Sequence, residues 1–277
     1  MRDMDRIPQS TIRATDTGND NRETLVPYSV VVRVLYTALG LVGIAWGLVT
    51  LPSSWQSAPI ERAAGLLMQQ HPIRGAALET LLAETKSAKL GSLCRPTLAR
   101  SEAVIQIRLL EEALDLEQRT KIDALLQNVD RALRTALSCS PSDPFLWFVL
   151  YWLESFSGVI SEKSITYLAL SYDLGPNEGW IALKRNRAAF AIFEKLPPNF
   201  ADRVIAEFIG LIATNRLYTE AAQIFVGPAW RVRDRIIPRL AELGQLQRIG
   251  FAKTLYHRGY EIDIPGVPHF DYRRRHK

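Results

Sequence analysis

From Val34 to Leu51 the chain reads VLYTALGLVGIAWGLVTL, eighteen residues without a charge or a proline. About twenty apolar residues at 1.5 Å rise each cross a hydrocarbon layer roughly 30 Å thick, and residues 28–32 extend the run to that length. The expected element is a single transmembrane helix over 28–52, with Pro27 and Pro52 punctuating its ends. Arg33 does not veto the span, because its stem can lie in lipid while the guanidinium reaches the headgroups. Trp55, just beyond, suits an interfacial anchor. Two rivals stay open. A cleaved signal peptide fits poorly: the run is longer than a signal core, and Ser53 to Ala58 make a poor cleavage site. A buried core helix is the other, though the segment is apolar on every face.

Basic residues near the span set its expected direction. Arg13, Arg22 and Arg33 lie on the N-terminal side, whereas only Arg62 precedes Arg74 on the other, so the N-terminus is expected in the cytoplasm of a bacterium and the rest in the periplasm. Residues 1–26 are polar and free of aromatics, and are read as a disordered cytoplasmic tail. Residues 59–265 are long enough for a sizeable core, and residues 266–277 form a basic tail.

Within 59–265 the apolar period is helical almost throughout. Ala103, Val104, Ile107, Leu110 and Leu114 fall on one face, and Ile122, Leu125, Leu126, Val129, Leu133, Ala136 and Leu137 on another. Further helices are expected at about 60–71, 74–88, 143–157, 161–174, 178–194, 200–214, 218–226, 231–243 and 246–258, separated by Pro72, Gly91, Pro96, Gly158, the Gly175–Pro176 pair, Pro197–Pro198, Gly227–Pro228, Gly244 and Gly259. The best run of strand length is Tyr260 to Ile264. The expected fold class is all-α.

Short helices joined by short turns suggest stacked hairpins. Around Pro141 the spacing is that of a tetratricopeptide unit: small Ala136 five residues before, Leu133 at the large apolar position, Trp147 six residues after and Leu150 three beyond that. Pro176 follows thirty-five residues on, against a repeat of thirty-four. In such a unit small residues let helices approach and the aromatic fills the groove between hairpins. Tyr151, Ser164 and Ser171 stand where small residues or alanines are usual, and Trp180 comes two positions early. The expectation is therefore a degenerate tetratricopeptide-like solenoid, with a weaker echo at Arg216 to Phe225, RLYTEAAQIF. This architecture, together with the string SYDLGPNEGWIALKRNR from Ser171 to Arg187, resembles a bacterial, rhizobial-type family of periplasmic tetratricopeptide-like proteins encoded with exopolysaccharide biosynthesis and export genes. The resemblance implies a single N-terminal anchor, a periplasmic helical domain, and an accessory role in making or exporting a surface polysaccharide. It supplies no catalytic residues.

Local signatures of chemistry are missing. His71, His257, His269 and His276 stand at no metal-ligand spacing, and no phosphate loop, GxSxG or HExxH occurs. No cofactor is expected, and a scaffold is favoured over an enzyme. A glycan-acting enzyme would need carboxylates across a cleft, with Glu154, Asp173 and Glu178 as the formal candidates, although Asp173 and Glu178 also suit helix ends flanking a Gly-Pro turn. An adaptor in another envelope process is the other rival. Trp180, with Asn177, Glu178, Lys184 and Arg187, is the candidate binding face for an anionic polysaccharide or a peptide; the alternative is a core tryptophan beside a solvated face.

Cys94 and Cys139 are the two cysteines. In an oxidising compartment a disulfide between them would close a loop of about 46 residues, and the alternative is two buried thiols. The basic end HFDYRRRHK reads first as a solvated, frayed tail; as a binding segment it suits an anionic polymer, the membrane surface or a partner's acidic patch, and the expected compartment disfavours nucleic acid. Gly40, Gly43 and Gly47, which include a GxxxG, would permit close helix approach in a homo-oligomer or against an envelope polysaccharide-assembly partner.

Overall fold

The computed structural model describes residues 28–87, 94–156, 158–176 and 178–268. The fold is all-α, with no strand among the described residues. The predicted tail at 1–26 and most of the basic tail at 266–277 lie outside them. Compactness divides the chain between Ser54 and Trp55.

In the first unit, helix α1 (Tyr28–Met68) begins where the span is expected. Over Val30–Leu48 it is long and apolar enough to cross a membrane, and none of that stretch is buried. Leu39 and Trp46 are about 70% exposed, which suits a lipid-facing helix and not a core helix. The Thr37 hydroxyl donates to the Arg33 carbonyl at 2.8 Å, so a polar group inside the span is satisfied within the helix. One expectation is corrected. The helix does not stop at Pro52 but continues through Pro52 and Pro59 to Met68. Ile60, Ala63 and Ala64 at its far end are buried, and that packing outweighs the hydrogen bonds the prolines remove.

In the second unit α1 is followed by α2 (Gly75–Ser87), α3 (Pro96–Asp115), α4 (Arg119–Cys139), α5 (Pro144–Ser155), α6 (Glu162–Leu174), α7 (Gly179–Ala191), α8 (Pro198–Ala213), α9 (Tyr218–Val226), α10 (Arg233–Arg239) and α11 (Gln245–His257). The expected 178–194 helix ends early in a 3-10 turn at Phe193–Lys195. The expected 231–243 helix breaks into a 3-10 turn, a short α10 containing Pro238, and a second 3-10 turn. Tyr260 to Ile264 is irregular.

Consecutive helices pack as hairpins: α3 on α4, α5 on α6, α7 on α8. Their turns are written in cap chemistry. Asp143 accepts from the amides of Phe145 and Leu146, with Pro144 at the first helical position of α5. The same carboxylate takes Arg100 of α3 at 2.7 Å, tying the start of α5 to the preceding hairpin. Ser161 and Ser164 cap α6 reciprocally. At the far end of that hairpin, a Cβ on Gly175 would stand 2.6 Å from the Pro144 ring, so this approach needs glycine.

One large core runs from Ala64 to Ile264 and a smaller one joins α1, α2 and α3 around Ile60, Leu78 and Ile105. Phe208 of α8 anchors the large core against Phe190, Phe225 and Phe251. Leu133 and Ala136 are buried late in α4. Trp147 differs from expectation: its ring meets Tyr167 of α6 at 5.6 Å and its indole donates to the Pro141 carbonyl at 2.7 Å, so it braces its own hairpin.

Candidate functional site

Helix α7 has two faces set by its period. Ile181, Ala182, Arg185, Asn186, Ala189 and Phe190 point inward and are buried. Trp180, Lys184 and Arg187, at i, i+4 and i+7, form an outward stripe. Trp180 remains 40% exposed while its ring packs on Phe145 of α5 at 5.3 Å. Both readings of this tryptophan therefore hold in part, since it bridges neighbouring hairpins and keeps an open edge. Asn177 lies outside the described residues. Glu178 precedes α7, and its side chain accepts no capping hydrogen bond from the helix amides.

Lys184 and Arg187 border a cavity of about 560 Å³. Its walls come from the C-terminal end of α1 and from alternate helices: α3, α5, α7 and α9. Helix α5 contributes Phe145, Phe148, Val149 and Trp152, a full i, i+3, i+4, i+7 stripe. Val104 and Ile107 of α3 continue the apolar floor. In the sequence Val104 and Ile107 read only as part of an apolar helix face, and Phe145, Phe148, Val149 and Trp152 are not singled out.

Beneath the outward stripe lies a charged network. The Arg185 guanidinium is fully buried. It donates to both carboxylate oxygens of Glu207 in α8, to the Ser171 carbonyl, and to the Gly175 carbonyl at 2.7 Å. Asn186 donates to the same carboxylate at 2.6 Å. Arg185 also lies over the Tyr172 ring, 4.4 Å from its centre. Burial pushes the Glu207 carboxyl above its ordinary range, against the opposing pull of Arg185 and Asn186. With its donors turned to α6 and α8, this network is structural: it pins three helices and offers no open group to a substrate.

Burial also pushes the Tyr172 phenol well above its usual range, and its hydroxyl has no hydrogen-bond partner among the described residues. Removing an unpaired buried hydroxyl releases its desolvation cost. Tyr172→Phe should therefore leave stability unchanged or raise it by up to about 1 kcal/mol. Chemical denaturation checks this, and a loss above about 1 kcal/mol would reveal a hidden partner for the hydroxyl.

The three candidate catalytic carboxylates do not line the cavity. Glu154 pairs with Lys163 at 2.6 Å, at one end of the α5–α6 hairpin. Asp173 lies ten residues further along α6, roughly 15 Å away at 1.5 Å per residue, and pairs with Arg203. Two groups so placed cannot flank one glycosidic bond, for which about 5–10 Å is needed.

Cys94 and Cys139 are brought together at disulfide distance, with Cα atoms 5.5 Å apart. Cys94 precedes α3 and Cys139 ends α4, so the bond staples the open end of that hairpin. Gly40, Gly43 and Gly47 face open space, where an added Cβ would meet no atom within 4 Å. Among the described residues no group of three or more His, Cys, Asp or Glu could hold a metal ion.

No protein-family model, curated protein or solved structure matches this chain.

Proposed function

We propose that the chain is a membrane-anchored, non-enzymatic scaffold that serves surface polysaccharide biosynthesis or export, using tetratricopeptide-like hairpins for contacts with other envelope proteins. The observation that carries this reading is the joining, in one chain, of an outward-facing apolar helix over Val30–Leu48 to consecutive helical hairpins. Burial of Leu133 and Ala136 at the repeat positions, and the thirty-five residues from Pro141 to Pro176, support the tetratricopeptide-like form. Arg13, Arg22 and Arg33 support a cytoplasmic N-terminus and periplasmic hairpins. The link to polysaccharide rests on the family resemblance of the string Ser171 to Arg187.

The test is genetic and topological. Deleting the gene should lower surface polysaccharide severalfold, and the intact chain should restore it where a variant lacking 30–48 does not. Reporters fused after Lys277 should be active only on the periplasmic side. Normal polysaccharide in the deletion strain, with a defect in division or secretion instead, would transfer the scaffold to another envelope process. A cytoplasmic reporter signal would overturn the orientation.

A further inference from the structure

We infer that the cavity walled by α3, α5, α7 and α9 is a binding site for an anionic amphiphile: an apolar chain laid against the aromatic floor, with a phosphate or carboxylate head held by Lys184 and Arg187. The inference goes beyond the scaffold reading and does not depend on it.

Size and lining make the first part of the argument. A volume of about 560 Å³ falls within the roughly 300–1,000 Å³ of small-molecule sites, which are mostly apolar with a few polar groups at defined places. Here the floor is deep: Val104, Ile107, Phe145, Phe148 and Val149 are each under 10% exposed, and Trp152 is half-buried. A buried apolar floor suits a chain of methylenes better than the broad face of a folded partner, which needs wide exposed contact.

Charge at the mouth makes the second part. Five ionisable side chains border the cavity. Arg108 and Glu111 sit 3.8 Å apart and answer each other. Lys184 and Arg187 are exposed one turn apart on α7, with no ion pair to an acid among the described residues, and Glu220 on α9 is the remaining acid at the cavity. Two cations on one helix face against one acid favour a single negative head, bound most strongly at the α7 side. Glu220 opposes it, which fixes the sign of a second test.

The experiment uses the full chain in a detergent-free peptide scaffold and hexadecyl phosphate bearing a photoreactive diazirine on its chain. Cross-links are expected on α3 and α5, between residues 104 and 152, and the matching hexadecanol probe should label there at least tenfold less. Lys184→Gln with Arg187→Gln should cut labelling about tenfold, while Glu220→Gln should raise it two- to threefold. All three positions are exposed, so the fold survives, and an unchanged thermal midpoint confirms it. Phosphatidic acid that competes as well as free hexadecyl phosphate would identify a bilayer lipid as the source; competition by the single-chain phosphate alone would identify a soluble amphiphile. Either supports the site. Labelling confined to residues 30–48, equal labelling by phosphate and alcohol, or displacement by an acidic amphipathic peptide at lower concentration than hexadecyl phosphate would overturn it.

Discussion

Arg185→Met should destabilise the second unit by about 3–5 kcal/mol, the cost of breaking a buried ion pair from one side. The guanidinium joins α7 to α6 and α8, donating to the Ser171 and Gly175 carbonyls and to the Glu207 carboxylate. Its removal leaves the buried Glu207 carboxylate without its charged partner, with only Asn186 still donating to it, and takes one donor each from the Ser171 and Gly175 carbonyls, while methionine refills most of the volume. For a unit of this size the loss corresponds to a fall of about 10 °C in melting temperature. The double variant Arg185→Met/Glu207→Leu separates the pair from its desolvation. Removing both charges should recover much of the loss, because the cost of a single deletion is largely that of the charge left behind. A single variant that melts within about 2 °C of wild type would show that solvent reaches Glu207 and that the network is not closed.

Breaking the Cys94–Cys139 bond should have the second largest effect. Closing a loop of about 46 residues is worth roughly 4 kcal/mol in the chain-entropy model, and the loop here is almost wholly the α3–α4 hairpin, whose open end the bond holds. Cys94→Ala/Cys139→Ala, and wild type under reductant, should therefore melt about 10 °C below the oxidised protein. The two treatments should agree, since alanine adds no bulk at either site. Identical melting with and without reductant, together with two titratable thiols in protein isolated without oxidant, would mean that the pair stays reduced in its native compartment.

Much of the helix order was legible because the chain punctuates itself. Pro96, Pro144 and Pro198 open helices, and the Gly175–Pro176 pair separates α6 from α7, each for a reason of local backbone geometry. Where long-range packing decided, local signals failed. Pro52 reads as a stop, yet burial of Ile60, Ala63 and Ala64 carries the helix past it. From the string LKRNR the sequence singles out Lys184 and Arg187 as a polar face, and the structure turns Arg185 and Asn186, which lie between them, inward. The partner that makes a buried arginine tolerable, Glu207, stands 22 residues on in another helix, with no spacing signal to announce it. The cavity was invisible for a related reason. Its floor uses the same residue types as the core, and emptiness between helices leaves no mark on any one of them.

Because the cavity takes a wall from each successive hairpin, its width is a cumulative property of how the hairpins lean on one another. Phe145 and Trp180, ring against ring between α5 and α7, act there as a spacer. A smaller residue at either place would let neighbouring hairpins tilt together, and that tilt would be felt at the mouth by Lys184 one turn along from Trp180. The gauge of the opening is thus held by an aromatic contact at its edge, and a variant at Trp180, which does not line the cavity, can narrow or widen it without touching any group that meets the occupant.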